Sequence, residues 1–550
     1  MKASDLFLQC LEMQGVRKMY GVPGEENADI MLSLLDSDID FVTTRHEQTA
    51  AFIAAMDGYL TGQPAVCLGT LGPGATNLIT GVAQANMDHM PLIVVIGQAS
   101  THRLHKVSHQ NMDSVDMYRS VTKWAVTIRD ADTIPEIVAK AFKMAQVGLP
   151  GAVLIELPED VAAEEVIVKP LPKINVVDHY QSSEIKINEF ISLLEEASRP
   201  LVLAGDSAVR GRVDQQMAEF LEKTNLFAAT TFMGKGVVSD RYQHSLHTVG
   251  MGMKDIAVSA FEEADLVICI GYSLVEWAPE KWNQTADKVV VHINVVPAEI
   301  DSHYLPKLQL IGNIAAILSQ INIRLNAGCQ KSEIVLFKQI QDKVKQDLNQ
   351  DDNSGAFPVK PKAFLHHLRE NMADDDMLFS DVGAHKMWVA RQYRAYESMT
   401  CFISNGFCSM GGSMPSAISA KAIYPDKRVV ALCGDGGFIM SIQALATATS
   451  QKLPVIIVVW VDDHYGLIKW KQEMHFGKSS HIDLNNPDLL TIAKGFGAYA
   501  ETLESVFDLA SVFARFDEVK DRPCVLFVPI DYSENMKLFY HLKKMTEKTV

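Results

Sequence analysis

No apolar run in this 550-residue chain approaches the roughly 18 to 20 residues that a membrane-spanning helix needs, so no such helix is expected. Positive charge is in deficit. The 50 Lys and Arg stand against 67 Asp and Glu, a formal net charge of −17, and no local basic patch reverses it; nucleic acid and anionic membranes are therefore not expected partners. No CxxC pair occurs among the eight cysteines (Cys10, Cys67, Cys269, Cys329, Cys401, Cys408, Cys433, Cys524), and several lie inside apolar runs, which fits buried free thiols in a reducing compartment. There is no short repeat of the solenoid kind. No GxGxxG follows a strand with an acid some 20 positions later, which argues against a nicotinamide-type dehydrogenase.

What is present is the composition of compact globular domains, 48% hydrophobic and 21% charged. The length exceeds what one core supports and implies about three domains. The opening MKASDLFLQCLEMQGV reads as an amphipathic helix starting near Ser4 or Asp5, without the continuous apolar stretch of a secretory signal; the expected location is cytoplasmic.

Short β-branched runs alternate with helix-like segments: Ala65 to Gly69, Leu92 to Gly97, Val153 to Leu157, Leu201 to Ala204, Leu266 to Gly271, Val289 to Val295, Val429 to Cys433 and Val455 to Val461. Strands apolar on both faces and separated by helices belong to parallel sheets in α/β domains. Two stretches read as connectors, Lys169 to Ser183 and Lys343 to Lys362. The expectation is an α/β protein of three doubly wound parallel-sheet domains, at 1–168, 184–342 and 358–550, with ligands at the carboxyl ends of strands.

The segment VVALCGDGGFIMSIQALATATS is a buried strand that ends in Gly434-Asp435-Gly436-Gly437 and enters a helix. Glycines there let the backbone approach a ligand, and the helix start offers unpaired N–H groups to phosphate oxygens. Taken alone, such a tetrapeptide is also an ordinary strand-to-helix turn. A second apolar strand, Pro454 to Val461, ends in Asp462-Asp463-His464-Tyr465, placing Asp462 27 residues after Asp435. A strand–helix–strand crossover of that length sets both aspartates at neighbouring strand ends. Two carboxylates facing one crevice repel unless a cation lies between them, and a hard ion that leaves room for phosphate oxygens describes Mg2+; two solvated, helix-capping acids are the alternative.

These residues resemble the thiamine diphosphate enzymes, whose signature is GDG followed some 27 residues later by an acidic or amide pair. The resemblance implies that Mg2+ is held by Asp435, Asp462 and the main-chain oxygen of His464. Many members carry Asn at the second ligand, so Asp462 adds a negative charge there.

The first third holds Tyr20-Gly21-Val22-Pro23-Gly24-Glu25-Glu26-Asn27, Thr44-Arg45-His46-Glu47-Gln48 and Leu71-Gly72-Pro73-Gly74-Ala75-Thr76-Asn77. Glu47 by itself is a residue between a strand, Asp40 to Thr43, and a helix, Thr49 to Tyr59, where capping explains it. The three motifs together resemble the pyrimidine-binding domain of the acetolactate synthase group. The resemblance implies that Glu47 hydrogen-bonds the aminopyrimidine of the cofactor, which requires a carboxyl in an apolar pocket, and burial of Glu47 is expected. It also implies a catalytic role for Gly24 and cofactor contacts for Pro23, Gly24, Asn77, Gly383, Ala384, His385, Asn405, Gly406, Cys408, Gly434, Gly436, Gly437 and Tyr465. Met410, 25 residues before Asp435, sits in the register of the family's wedge residue, although a lone Met is otherwise core.

Ser108-His109-Gln110-Asn111-Met112-Asp113 resembles a segment of the catabolic acetolactate synthases, in which His109 and Gln110 face the reacting carbons; a polar surface loop is the alternative. The stretch Ala264 to Trp277 is similar to the same group. The flavin-associated GMHG motif is replaced by Gly250-Met251-Gly252-Met253, so no FAD is expected. The implied reaction is decarboxylative condensation of two pyruvates to 2-acetolactate through an enamine on the cofactor, in a homodimer at minimum and a homotetramer by expectation. Alternatives are a decarboxylase releasing aldehyde, a flavin-dependent pyruvate oxidase, a carboligase with another acceptor, and a catalytically silent binding subunit, against which the presence of Glu47, Asp435 and Asp462 speaks. Two residues depart from the family pattern. Glu159 stands where Lys is frequent, and Lys471, nine residues after Asp462, stands where Trp or Gln is usual and either binds an acceptor carboxylate or is solvated.

Overall fold

The computed structural model describes residues 1–176, 182–251, 256–332, 334–348 and 355–535. Its frame is three six-stranded sheets, and every strand pair in them is parallel. Sheet one contains β1 (Lys18–Gly21), β2 (Asp40–Thr43), β3 (Ala65–Gly69), β4 (Leu92–Gln98), β5 (Trp124–Thr127) and β6 (Ala152–Pro158), in the order β2-β1-β3-β4-β6-β5. Sheet two contains β7 (Pro200–Ala204), β8 (Phe227–Thr230), β9 (Ser245–Thr248), β10 (Leu266–Ile270), β11 (Val289–Asn294) and β12 (Leu308–Ile311), in the order β12-β11-β10-β7-β8-β9. Sheet three contains β13 (Met377–Ser380), β14 (Cys401–Ile403), β15 (Val429–Gly434), β16 (Ile456–Val461), β17 (Tyr499–Thr502) and β18 (Cys524–Pro529), in the order β14-β13-β15-β16-β18-β17.

The three-unit α/β architecture expected from the alternating apolar runs is therefore what the chain adopts. Sheet two has the Rossmann order. Sheets one and three share a different order with each other, a fold-level duplication that leaves no short repeat in the sequence. In both, the winding direction reverses between the first and third strands, at β1/β3 and β13/β15, which is where open α/β sheets form their ligand crevice.

One expectation is corrected. The connector assigned to Lys343–Lys362 begins as structure: a helix runs Val335–Leu348 and buries Phe337, Ile340, Val344 and Leu348. Those apolar residues recur at helical spacing, and their burial outweighs the polar composition around them. Asp347 of that helix accepts two hydrogen bonds from the buried Arg391 guanidinium, at 3.1 and 2.9 Å, tying the segment to the third unit.

The first and third units share one apolar core, in which Ile53, Leu78 and Val82 lie with Met414, Ala417 and Ile418. Within it the helices Glu47–Thr61 and Pro73–Met87 cross closely because Gly81 has no side chain; a Cβ there would stand 2.6 Å from that of Ala51. Gly81→Ala is accordingly expected to cost about 1–3 kcal/mol by overpacking. Thermal unfolding checks it. Gly495→Ala, where a Cβ meets nothing within 4 Å, should leave the midpoint unchanged.

Candidate active site

The carboxyl ends of β13, β15 and β16 converge on one pocket, at the switch point of sheet three. Its lining gathers Gly383, Ala384, His385, Met410, Gly434, Asp435, Gly436, Gly437, Asp462, His464 and Tyr465, all of them singled out in the sequence, and adds Val382, Gly466, Leu467, Ile468 and Tyr532. The floor is bare backbone for a steric reason. A Cβ on Gly437 would lie 2.3 Å from an Asp381 carboxylate oxygen, and one on Gly383 would lie 2.5 Å from the His385 ring. Asp381 is itself committed, accepting the Gly411 amide at 2.9 and 3.0 Å.

Asp435 is 1% exposed. Its Oδ1 accepts from the Gly436 amide at 2.8 Å, and its Oδ2 accepts from the Asp463 amide at 2.8 Å and the Asn486 side chain at 2.7 Å. Burial raises its pKa. Asp462 is pushed up to about 7, first by burial and then by the charge of Asp435. Burial thus disfavours both carboxylates as anions, and the charge of Asp435 adds to this at Asp462.

A cation between the two relieves both terms. No group of three or more His, Cys, Asp or Glu side chains among the described residues is arranged as a metal cluster. Two carboxylate oxygens beside main-chain oxygens are a donor set that a hard divalent cation such as Mg2+ could take. The His464 ring is engaged elsewhere, with Nδ1 on the Asp462 main-chain oxygen and Nε2 3.2 Å from both Asp483 and Lys469, so its main-chain oxygen is what it can offer a metal.

A phosphate also finds donors here. His385 is buried, burial pushes its pKa down to about 3 so the ring is neutral, and its Nε2 has no hydrogen-bond partner among the described residues. A buried, unpaired imidazole nitrogen beside a glycine floor fits a diphosphate group.

Asn405 and Cys408 lie beside the pocket, outside its lining. Lys386 Nζ donates to the Ser404 carbonyl at 2.6 Å and to Asn405 Oδ1 at 2.7 Å, and stands 3.2 Å from Cys408 Sγ. The Asn405 amide nitrogen donates to the Glu276 carbonyl at 2.6 Å. Both ends of Asn405 are occupied by protein.

The first-unit residues assemble at the matching ends of β1, β2 and β3. Glu47 opens the helix Glu47–Thr61, and His46 caps it by accepting the Gln48 amide. Glu47 Oε2 accepts from Asn77 Nδ2 at 3.0 Å, and Gly74 leaves room beside Oε1. Pro23 and Gly24 follow β1, with the Gly24 amide donating to Asn27 at 2.9 Å. Glu47 is half-buried, not buried as expected.

His109 and Gln110 are exposed. Gln110, at φ +55°, packs on Gly72, whose Cβ would stand 2.9 Å from the Gln110 carbonyl, and this brings it beside the Glu47 loops. Glu159 has a role that its departure from the family pattern does not reveal. It accepts from the Ser100 amide at 3.1 Å and from Arg103 at 3.4 Å, and Arg103 in turn donates to the His109 carbonyl at 3.4 Å, so Glu159 fastens the loop that carries His109 and Gln110. Lys471 is exposed on the helix Gly466–Phe476, close enough for its charge to act on Lys386. None of Pro23, Gly24, Glu47, Asn77, His109 or Gln110 lines the Asp435 pocket.

Sequence reasoning missed Asn486, Tyr532 and Asp381. Asn486 bridges Asp435 and Asp463, at 2.7 and 2.8 Å. Asp381 stands two residues before Gly383 in Asp381-Val382-Gly383-Ala384-His385, whereas the other two carry no spacing signal.

Three descriptions of the thiamine pyrophosphate (diphosphate) enzymes match along the chain: the N-terminal TPP binding domain over residues 1–117, the central domain over 187–321 and the C-terminal TPP binding domain over 381–528. The acetolactate synthase of Bacillus subtilis (strain 168) is 32% identical over 546 residues, 98% of this chain and 94% of that protein. The catabolic acetolactate synthase of Raoultella terrigena is 32% identical over 548 residues, 98% and 97% of the two chains. An acetolactate synthase isozyme 2 large subunit of Escherichia coli (strain K12) is 28% identical over 541 residues, 98% and 97%.

Because Asn486 aims the Asp435 carboxylate, Asn486→Ala is expected to weaken divalent-metal binding about ten-fold, as loss of a ligand's supporting hydrogen bond does. Titration with Mn2+ followed by electron paramagnetic resonance measures it. An unchanged affinity would remove Asn486 from the site.

Proposed function

The chain belongs to the thiamine pyrophosphate enzymes, in the acetolactate synthase family, and from that premise we propose that it condenses two pyruvates to 2-acetolactate with loss of carbon dioxide. It is a transferase in that reading. The observation that carries it is the pairing of the Asp435–Asp462 carboxylates over a glycine floor with a Glu47–Asn77 pair at the matching strand ends of sheet one.

Asp435, Asp462 and the His464 main-chain oxygen would hold Mg2+, and Gly383, Ala384, His385, Gly436 and Gly437 would hold the diphosphate. The chemistry that thiamine diphosphate supplies when bound is storage of the electron pair left when carbon dioxide departs from a 2-oxo acid. Glu47 does the protein's proton work. With Oε2 fixed by Asn77, Oε1 is left to hold the proton shared with the pyrimidine ring. Gln110 and His109, on the loop that Glu159 fastens, present an amide and an imidazole to the 2-oxo acid.

Among the described residues the Glu47 loops and the Asp435 pocket share no lining residue, which supports completion of the site by a second copy, a homodimer at minimum; the homotetramer is carried over from the resemblance. The division into 1–168, 184–342 and 358–550 is part of the proposal. So is the absence of FAD. At the switch point of sheet two, between β7 and β10, the carboxylate of Glu276, which is 3% exposed, fills the crevice. It accepts from the Asp206 amide, Thr231 Oγ and the Ser273 amide, and a Cβ on Gly205 would lie 2.6 Å from it. Its buried side chain takes up the space that a dinucleotide diphosphate would need there, which supports the reading without FAD. Of the motif that replaces GMHG, Gly252 and Met253 lie outside the described residues. Among the described residues no helix is long and apolar enough to cross a membrane; together with seven buried free cysteines this supports a cytoplasmic enzyme.

Purified protein given thiamine diphosphate, Mg2+ and pyruvate is expected to yield acetoin after acid treatment, and dialysis against a chelator is expected to abolish it. Acetaldehyde alone, or no product, overturns the proposal. Glu47→Gln should lower kcat by about 10²-fold or more while the cofactor still binds. Unchanged turnover would refute the role given to Glu47.

A further inference from the structure

The helix Pro73–Met87 ends on Asp88, a fully buried carboxylate with no place in the chemistry above. All its side-chain partners among the described residues lie in another unit, on the loop that follows β14. Oδ2 accepts from Ser404 Oγ at 2.5 Å, and Oδ1 accepts from the Gly406 amide at 2.9 Å and the Phe407 amide at 3.2 Å. The approach is tight enough to require glycine, since a Cβ on Gly406 would lie 2.5 Å from Asp88 Oδ1. Burying a carboxylate is costly even with the Lys386 ammonium near enough to feel its charge, and an asparagine would fill the same space at less expense in desolvation. What the charge adds is strength and direction in three hydrogen bonds to one short segment.

That segment is gripped from its other side by Lys386, through the Ser404 carbonyl, Asn405 Oδ1 and Cys408 Sγ. Lys386 directly follows His385, and Met410 lies two residues beyond Cys408; both His385 and Met410 line the Asp435 pocket. The path from Asp88 to the pocket wall is therefore short and wholly hydrogen-bonded or covalent. We propose that Asp88 is a positioning residue for thiamine diphosphate, holding the Ser404–Cys408 loop so that the Lys386–His385 and Met410 walls of the pocket stand ready for the cofactor. The inference rests on the functional reading above and adds a residue to it.

The test uses the full-length protein with Mg2+. In Asp88→Asn the charge is lost: the amide oxygen can keep the Gly406 and Phe407 N–H groups, with the NH2 turned to Ser404 Oγ, but each bond to a carboxylate becomes a weaker bond to a neutral oxygen. Hydrogen–deuterium exchange at Gly406 and Phe407, read without cofactor, is expected to quicken about ten-fold, and the Kd for thiamine diphosphate by calorimetry to rise by about ten-fold, the loss expected of a charged hydrogen bond. The rise in the cofactor constant should exceed any fall in kcat at saturating cofactor, a split that general loss of stability does not produce. Ser404→Ala, which removes one partner and leaves the carboxylate in place, should move exchange and Kd in the same direction by less, and it serves if Asp88→Asn does not fold. Exchange or Kd within two-fold of the unaltered protein in a folded variant overturns the proposal alone. Unaltered protein that takes up no thiamine diphosphate overturns the functional reading and this proposal together.

Discussion

Two carboxylates brought side by side out of water are the constraint on which the rest of the site depends. Asp435 and Asp462 leave the ends of adjacent parallel strands whose register sets Gly434 against Trp460, so their proximity is a property of the sheet and not of a flexible loop. The chain then spends further structure on keeping them there. Asn486 and the Asp463 amide hold one oxygen of Asp435, and its own Gly436 amide holds the other. Left alone, Asp462 has its pKa lifted to about 7, by burial first and by the charge of Asp435 second. In the proposed reading a cation offsets this cost, and the glycine floor beside the pair leaves space for the anion that accompanies it.

How much of the fold could be read from the sequence follows from where each strand lies in its sheet. Inner strands such as β4, β10 and β15 are covered by helices on both faces and read as unbroken apolar runs. Edge strands do not. β5 is half-buried throughout, and β17 alternates exposed Tyr499 with buried Ala500; neither stands out from the helical segments near it. The error at Lys343–Leu348 has the opposite origin. Charged residues there dominate the composition, while Val344 and Leu348, in helical register with Phe337 and Ile340 before them, dominate the packing.

The same logic separates the legible from the illegible parts of the site. Asp435 and Asp462 could be paired because a parallel crossover converts a fixed number of residues into a fixed step sideways. Glycine loops could be found because each ends a strand. Asn486 and Tyr532 could not, since their approach depends on how later segments fold back. Glu47 shows a different limit. Its identity was legible from its motif but its burial was not, because burial depends on what packs over the strand ends, and among the described residues Glu47 stays half-buried.

The loop Ser404–Cys408 joins these two kinds of information. Asp88 from the first unit, the Glu276 carbonyl from the second and Lys386 from the third each hold it. Asp88 and Gly406 are 318 residues apart, a contact that no motif spacing encodes. The helix that ends on Asp88 begins near Asn77, the partner of Glu47, so one rigid rod of about 22 Å, at 1.5 Å per residue, links the two strand-end clusters of the same chain. Apolar surfaces tolerate small slippage between domains, whereas a buried charge surrounded by directed donors does not. Placing the charge at the three-way junction therefore makes correct domain docking and correct pocket geometry the same condition: a chain whose units sit out of register leaves Asp88 buried without its donors, and the misdocked state pays for that in full.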